Sequence, residues 1–128
     1  MFNKLIASIY ILLFAQLVWA NDPKVILNST LDEEVEFDVN AFRGNIYCKD
    51  YSRRIKAKET LNCQLTRNEQ VNNNIITDIE LIFSSGCNAK LVVYKNDTHT
   101  VHSLAENGCT VKNENKKDRN IYLTISPK

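Results

Sequence analysis

Glycine and proline are scarce in this chain of 128 residues, which holds three glycines and two prolines. Gly44, Gly86 and Gly108 stand far apart, so no glycine-rich loop exists to cradle a phosphate. A serine-nucleophile signature is absent as well, and histidine is limited to His99 and His102. Positions three apart on an extended strand face opposite sides, so these two histidines would not address one substrate without a bulge between them. A secreted ribonuclease or other hydrolase using His99 or His102 is kept as an alternative, to be tested by RNA cleavage with His99→Ala as control. No C-x-x-C pair occurs, and the gaps between Cys48, Cys63, Cys87 and Cys109 do not resemble the close pairing of structural zinc ligands. Neither a cofactor nor a metal is implied.

Long apolar runs are confined to the N-terminus. From Leu5 to Val18 only Ser8 and Gln16 interrupt the run, Lys4 precedes it, and the small residue Ala20 stands before the polar NDPK. The pattern reads as a secretory signal peptide over residues 1–20, with 21–128 as a single mature domain that has no membrane span. Removing the leader takes Lys4 away and leaves 15 basic against 15 acidic side chains. A neutral protein has no long-range field to draw nucleic acid toward it.

What the chain does have is four cysteines, an even number in an exported protein, and these read as two disulfides. Of the three pairings, Cys48 with Cys109 and Cys63 with Cys87 is favoured. The first would tie an early strand to a late one, and the second would pin a helix onto the hairpin behind it. Each closure would contribute roughly 3 to 4 kcal/mol on the chain-entropy model. Two acceptor sequons, Asn28-Ser29-Thr30 and Asn96-Asp97-Thr98, are candidate glycosylation sites.

Periodicity changes along the mature chain. It begins irregularly at Pro23, and then Val35, Phe37 and Val39 alternate with acidic residues, as an edge strand with a negative outer face would. NIYC, residues 45–48, is a short strand. From Asp50, an expected N-cap, YSRRIKAKETLNCQLTR lacks glycine and proline and reads as a helix whose apolar face carries Tyr51, Ile55, Leu61 and Leu65. Beyond the polar NEQVNNN, alternation takes over. Ile79, Leu81 and Phe83 mark one strand, Gly86 a turn, and Leu91 and Val93 the next strand. Turns at Asn96-Asp97 and Asn107-Gly108 flank THTVHSLA, CTVK follows, and Ile121, Leu123 and Ile125 mark the last strand. The expected fold is α+β: one helix packed on a mostly antiparallel β-sheet, stapled by disulfides.

Candidate binding residues are basic. Arg53, Arg54, Lys56 and Lys58 follow Lys49 along the expected helix, although Arg53 and Lys58 would lie about 140° apart around it. Lys116, Lys117 and Arg119 form a second group in the loop from Asn113 to Asn120, and Tyr47, Tyr51 and Tyr94 offer stacking surfaces.

Taken together, the signal peptide, the cysteine closing NIYC, the basic helix, the meandering sheet and the late Cys109 resemble the RNase-like secreted effector family of powdery mildew fungi. That family carries an aromatic-x-Cys motif near the mature N-terminus; here Ile46 holds the aromatic position and Tyr47 follows it. The resemblance implies a ribonuclease-like fold that has lost its catalytic residues, with a bridge from the early to the late cysteine. It implies a secreted virulence effector, a candidate avirulence protein, that is monomeric and is translocated into plant cells. There it would bind a host protein, or RNA weakly, to suppress immunity, and be detected by an intracellular NLR receptor. Two other readings stand beside it. One is a cysteine-bridged fungal effector sandwich without the helix; the other is an extracellular inhibitor or ligand-binding protein. Presence or absence of the helix separates the first two.

Overall fold

The protein is described from a computed structural model, which covers residues 23–67 and 74–128; the expected signal peptide lies outside the described residues. The described residues form ten strands: β1 (Lys24–Ser29), β2 (Val35–Arg43), β3 (Asn45–Cys48), β4 (Arg54–Ile55), β5 (Thr60–Thr66), β6 (Ile75–Phe83), β7 (Cys87–Tyr94), β8 (His99–Glu106), β9 (Cys109–Glu114) and β10 (Ile121–Pro127). They form two five-stranded sheets. The first has the order β3-β5-β1-β10-β9 and the second β4-β2-β6-β7-β8. Every pairing is antiparallel except that of β1 with β10.

The α+β expectation is corrected here. Among the described residues there is no α-helix, only a single tight turn at Lys49–Tyr51, and the ribonuclease-like layout of a helix packed on a sheet gives way to two packed β-sheets. The segment expected to be helical supplies β4 and β5 instead. From Ile55 onward its buried residues are Ile55, Cys63 and Leu65, while Thr60, Asn62 and Thr66 face water, which is a period of two through β5. Helix propensity differs among ordinary residues by only about 0.7 kcal/mol, whereas burying one large apolar side chain yields about 1.5 to 3 kcal/mol. As a strand, β5 buries its side chains and pairs on both edges, with β3 and with β1. A helix with Lys58 and Asn62 in its apolar sector had less to gain.

The irregular start expected at Pro23 is likewise a strand. β1 lies at the centre of the first sheet, with Val25 and Leu27 fully buried. The C-terminal half follows the alternation: Ile79, Leu81 and Phe83 on β6, Leu91 and Val93 on β7, and Ile121, Leu123 and Ile125 on β10 all point into the interlayer core. On β2, Val35 and Phe37 point inward between exposed Glu36 and Asp38. β4 covers only Val35 and Glu36, so β2 is an edge for most of its length.

All four cysteines are bridged, but not in the favoured pairing. Cys48 bonds Cys63, its direct cross-strand neighbour on β5, and Cys87 at the start of β7 bonds Cys109 at the start of β9. The first bridge stays within one sheet; the second joins the two. Once residues 60–66 form a strand beside β3, register brings Cys63 opposite Cys48, and the early-to-late pairing is lost. Gly44, with φ +60°, turns the chain from β2 into β3; a Cβ there would collide with the carbonyl oxygen of Thr66.

Candidate functional site

The chain crosses from the first sheet to the second at the corner between β3 and β4. Ser52 donates its backbone N–H to the Lys49 carbonyl at 3.1 Å, which closes a tight turn. Asp50 and Tyr51 sit in its centre with φ of 57° and 54°. Two left-handed residues in succession make the primed turn that Asn-Gly suits best. Asp-Tyr holds that shape at a cost of about 1 to 2 kcal/mol per residue. Tyr51 recovers little of this by packing, because it is 86% exposed.

Beside this corner lies a groove of about 880 Å³ on the outer face of the first sheet. Tyr47, Lys49, Tyr51, Asn62 and Gln64 line it, and the Cys48–Cys63 bridge holds β3 to β5 from the core side of the same strands. Register explains the grouping: Tyr47 stands opposite Gln64, and Gln64 opposite Lys24 on β1. Three strands distant in sequence thus place an aromatic ring, an amide and an ammonium in one row. Arg67 lies where β5 ends and is engaged by the Asp97 carboxylate at 2.9 Å.

Hydrogen-bond partners distinguish the groove from the rest of that face. Away from it, Thr60 donates to Asn28 at 3.1 Å, Thr30 to Ser126 at 2.9 Å, and Thr124 to Glu114 at 3.1 Å. Tyr122 gives its hydroxyl to Asp118, which raises the phenol above its ordinary pKa, and Lys116 covers its ring at 4.4 Å. Within the groove, the side chains of Tyr47, Tyr51, Asn62 and Gln64 have no hydrogen-bonding partner among the described residues. A buried amide left that way would be costly, whereas one in an open groove is available to a ligand.

A second hollow of about 500 Å³ lies on the other side of Tyr51, bordered by Glu36, Asp38, Arg54 and Ser84. Arg54 pairs there with Glu36 at 3.1 Å and Ser84 accepts the Glu36 N–H at 3.0 Å, while Arg53 lies 5.6 Å over the Phe37 ring and its buried Nη1 has no hydrogen-bond partner among the described residues.

The basic residues singled out from sequence do not assemble into one surface. Arg54 sits on β4 at one edge of the second sheet, Lys56 is exposed in the β4–β5 turn, and Lys58 pairs with Asp32 at 3.1 Å. Lys116, Lys117 and Arg119 lie in the β9–β10 loop, where Arg119 bonds Asp97. Of the stacking candidates, Tyr47 and Tyr51 share the groove, and Tyr94 belongs to the β7–β8 corner instead. Asn62, Gln64 and Lys24 carried no signal in the sequence, since only strand register groups them.

His99 and His102 do separate. His99 pairs with Val93 on the core-facing side of β8, 3.4 Å from the Asn113 amide, and His102 pairs with Lys90 on the outer side. Among the described residues no group of three or more His, Cys, Asp or Glu is placed to hold a metal ion, and no helix is long and apolar enough to cross a membrane. Of the two sequons, Asn96 is exposed in the β7–β8 turn, and Asn28 is half-buried in the central strand β1.

No protein-family model matches the chain, and no curated protein does. Its fold is similar to that of RahU protein, solved in complex with a Tris molecule, at TM-score 0.55 and 10% identity over 83% of this chain and 96% of that one. It is similar to the same degree, TM-score 0.55 and 10% identity, to IP-1A from Alcaligenes faecalis, over 86% of this chain and 93% of that one. At such identity the likeness is one of fold alone.

Proposed function

We propose that this is an exported, noncatalytic binding protein that presents the groove beside Tyr51 to its target. The observation that carries this reading is the unpaired set of Tyr47, Tyr51, Asn62 and Gln64, next to a turn that holds Tyr51 in a strained conformation. Strain that adds nothing to packing is a marker of recognition or switching sites. The two disulfides are compatible with maturation in an oxidising compartment and cross-link a scaffold whose two sheets share one hydrophobic core. Noncatalytic action is supported by the two histidines facing opposite sides of β8.

In its biological setting the protein is a secreted effector that engages a host molecule in plant tissue, and an NLR receptor that senses it would read the same exposed corner. This replaces the basic helix as the contact surface. Affinity capture from plant extract with the mature protein tests the reading. Capture should be lost with Tyr47→Ala plus Tyr51→Ala and kept with Arg53→Ala plus Arg54→Ala. A bound set that ignores the tyrosines and follows the arginines would reverse the assignment.

A further inference from the structure

We infer that the groove takes an uncharged oligosaccharide; this rests on the reading that the groove is the recognition surface. The chemistry of the lining selects the class. A pyranose ring has an apolar C–H face and an edge of hydroxyls, each both donor and acceptor. Tyr47 and Tyr51 offer ring faces to the first, being 46% and 86% exposed. Asn62 and Gln64 offer amides to the second, each with a carbonyl acceptor and an NH₂ donor, and neither amide is committed within the described residues. The groove's 880 Å³ falls within the range of sites that enclose drug-sized ligands, enough for a short saccharide.

Charge argues against a nucleic acid. A single strand needs a row of cations along its phosphates as well as rings to stack on. Here the lining includes three cations, Lys24, Lys49 and Arg67, with Asp50 beside Lys49 and Asp97 already on Arg67. The larger basic groups, at Arg53 to Lys58 and at Lys116 to Arg119, are elsewhere on the sandwich. Tyr47, Tyr51, Asn62 and Gln64 are neutral, which suits an uncharged polyol.

Titration of the mature, disulfide-bonded protein with oligosaccharides of β-glucan, chitin and mannan, at low and high salt, tests this directly. At least one should bind saturably with an affinity that salt leaves unchanged. Tyr51→Ala and Tyr47→Ala should each weaken it roughly tenfold, the loss expected of one stacking ring. Tyr51→Phe should keep most of the affinity, Gln64→Ala should lose several-fold, and Arg54→Ala should match the parent protein. Thermal melting of each variant separates loss of fold from loss of contact. Binding of none of these sugars overturns the inference. So does binding of poly(U) RNA that weakens steeply with salt. If plant-extract capture still depends on Tyr47 and Tyr51 while no sugar binds, the ligand class is wrong and the groove stands; if neither depends on them, both readings fall.

Discussion

On the outer face of the second sheet, Arg54 is paired with Glu36, Lys90 with Asp78, and Asn88 donates to Glu80 at 2.8 Å. On the β3–β5 side of the first sheet, Tyr47, Asn62 and Gln64 meet no such partners among the described residues. Both surfaces are built from alternating strands, and both carry polar side chains outward. The first surface engages these side chains with one another, although Asp78 Oδ1 and Asn88 Oδ1 keep no hydrogen-bond partner among the described residues, whereas the second leaves whole amides facing an open groove. Exposure alone does not mark a site, since water serves either surface. Both surfaces have a hollow beside the strained turn at Tyr51; what separates them is that the larger one is lined by the neutral amides of Asn62 and Gln64, whereas the smaller is lined by the Arg54–Glu36 ion pair.

Disulfides give the strongest way to probe that comparison. Replacing Cys87 and Cys109 by alanine should lower stability by about 3 kcal/mol in urea denaturation and loosen both faces, because this bridge joins the sheets. Replacing Cys48 and Cys63 should cost a similar amount, about 3 kcal/mol, and should in addition reduce groove binding under conditions where the protein remains folded. Equal loss of binding from the two pairs, at matched stability, would remove the special link between the first bridge and the groove.

Gly44→Ala comes next. Its left-handed φ and the collision with the Thr66 carbonyl should destabilise the fold by about 2 kcal/mol, read as a lowered melting temperature. Tyr51→Gly should go the other way and stabilise by about 1 kcal/mol, because glycine adopts the positive φ without strain. The same variant should lose target binding, so a gain in stability accompanied by a loss of function is the signature expected of the open face. Breaking the Arg54–Glu36 pair with Arg54→Ala should change stability by less than about 1 kcal/mol, because both side chains are more than half exposed. Finally, peptide mapping of protein secreted from a eukaryotic host should find sugar on Asn96, which lies in an exposed turn, and little on Asn28, which is held in the central strand against Thr60.

Legibility of the fold was uneven along the chain for a physical reason. The connections from β6 to β9 are turns at Gly86, Asn96-Asp97 and Asn107-Gly108, and Ile79, Leu81 and Phe83 of β6 alternate in burial with their neighbours, so local pattern and final structure agree there. Residues 50–67 favour helix by composition, and only pairing with β3 and β1, both distant in sequence, makes β5 a strand. β1 was obscured by the run Val25, Ile26 and Leu27, which does not alternate in hydrophobicity although its burial does. The site was legible in part: Tyr47 and Tyr51 stood out as aromatic surfaces beside a cysteine, but the amides that complete the groove did not.

Local sequence was enough to place the turns at Gly86, Asn96-Asp97 and Asn107-Gly108 and to mark Ile79, Leu81, Phe83, Ile121, Leu123 and Ile125 for burial, since these depend on neighbours along the chain, and the even cysteine count pointed to two disulfides. Tertiary structure decided the rest. Which cysteine meets which, whether residues 60–66 wind or extend, and which outward side chains share a groove all depend on strand register between segments far apart in sequence. Register is fixed only when two faces close on a common core, because a slip of one residue would turn every buried side chain outward.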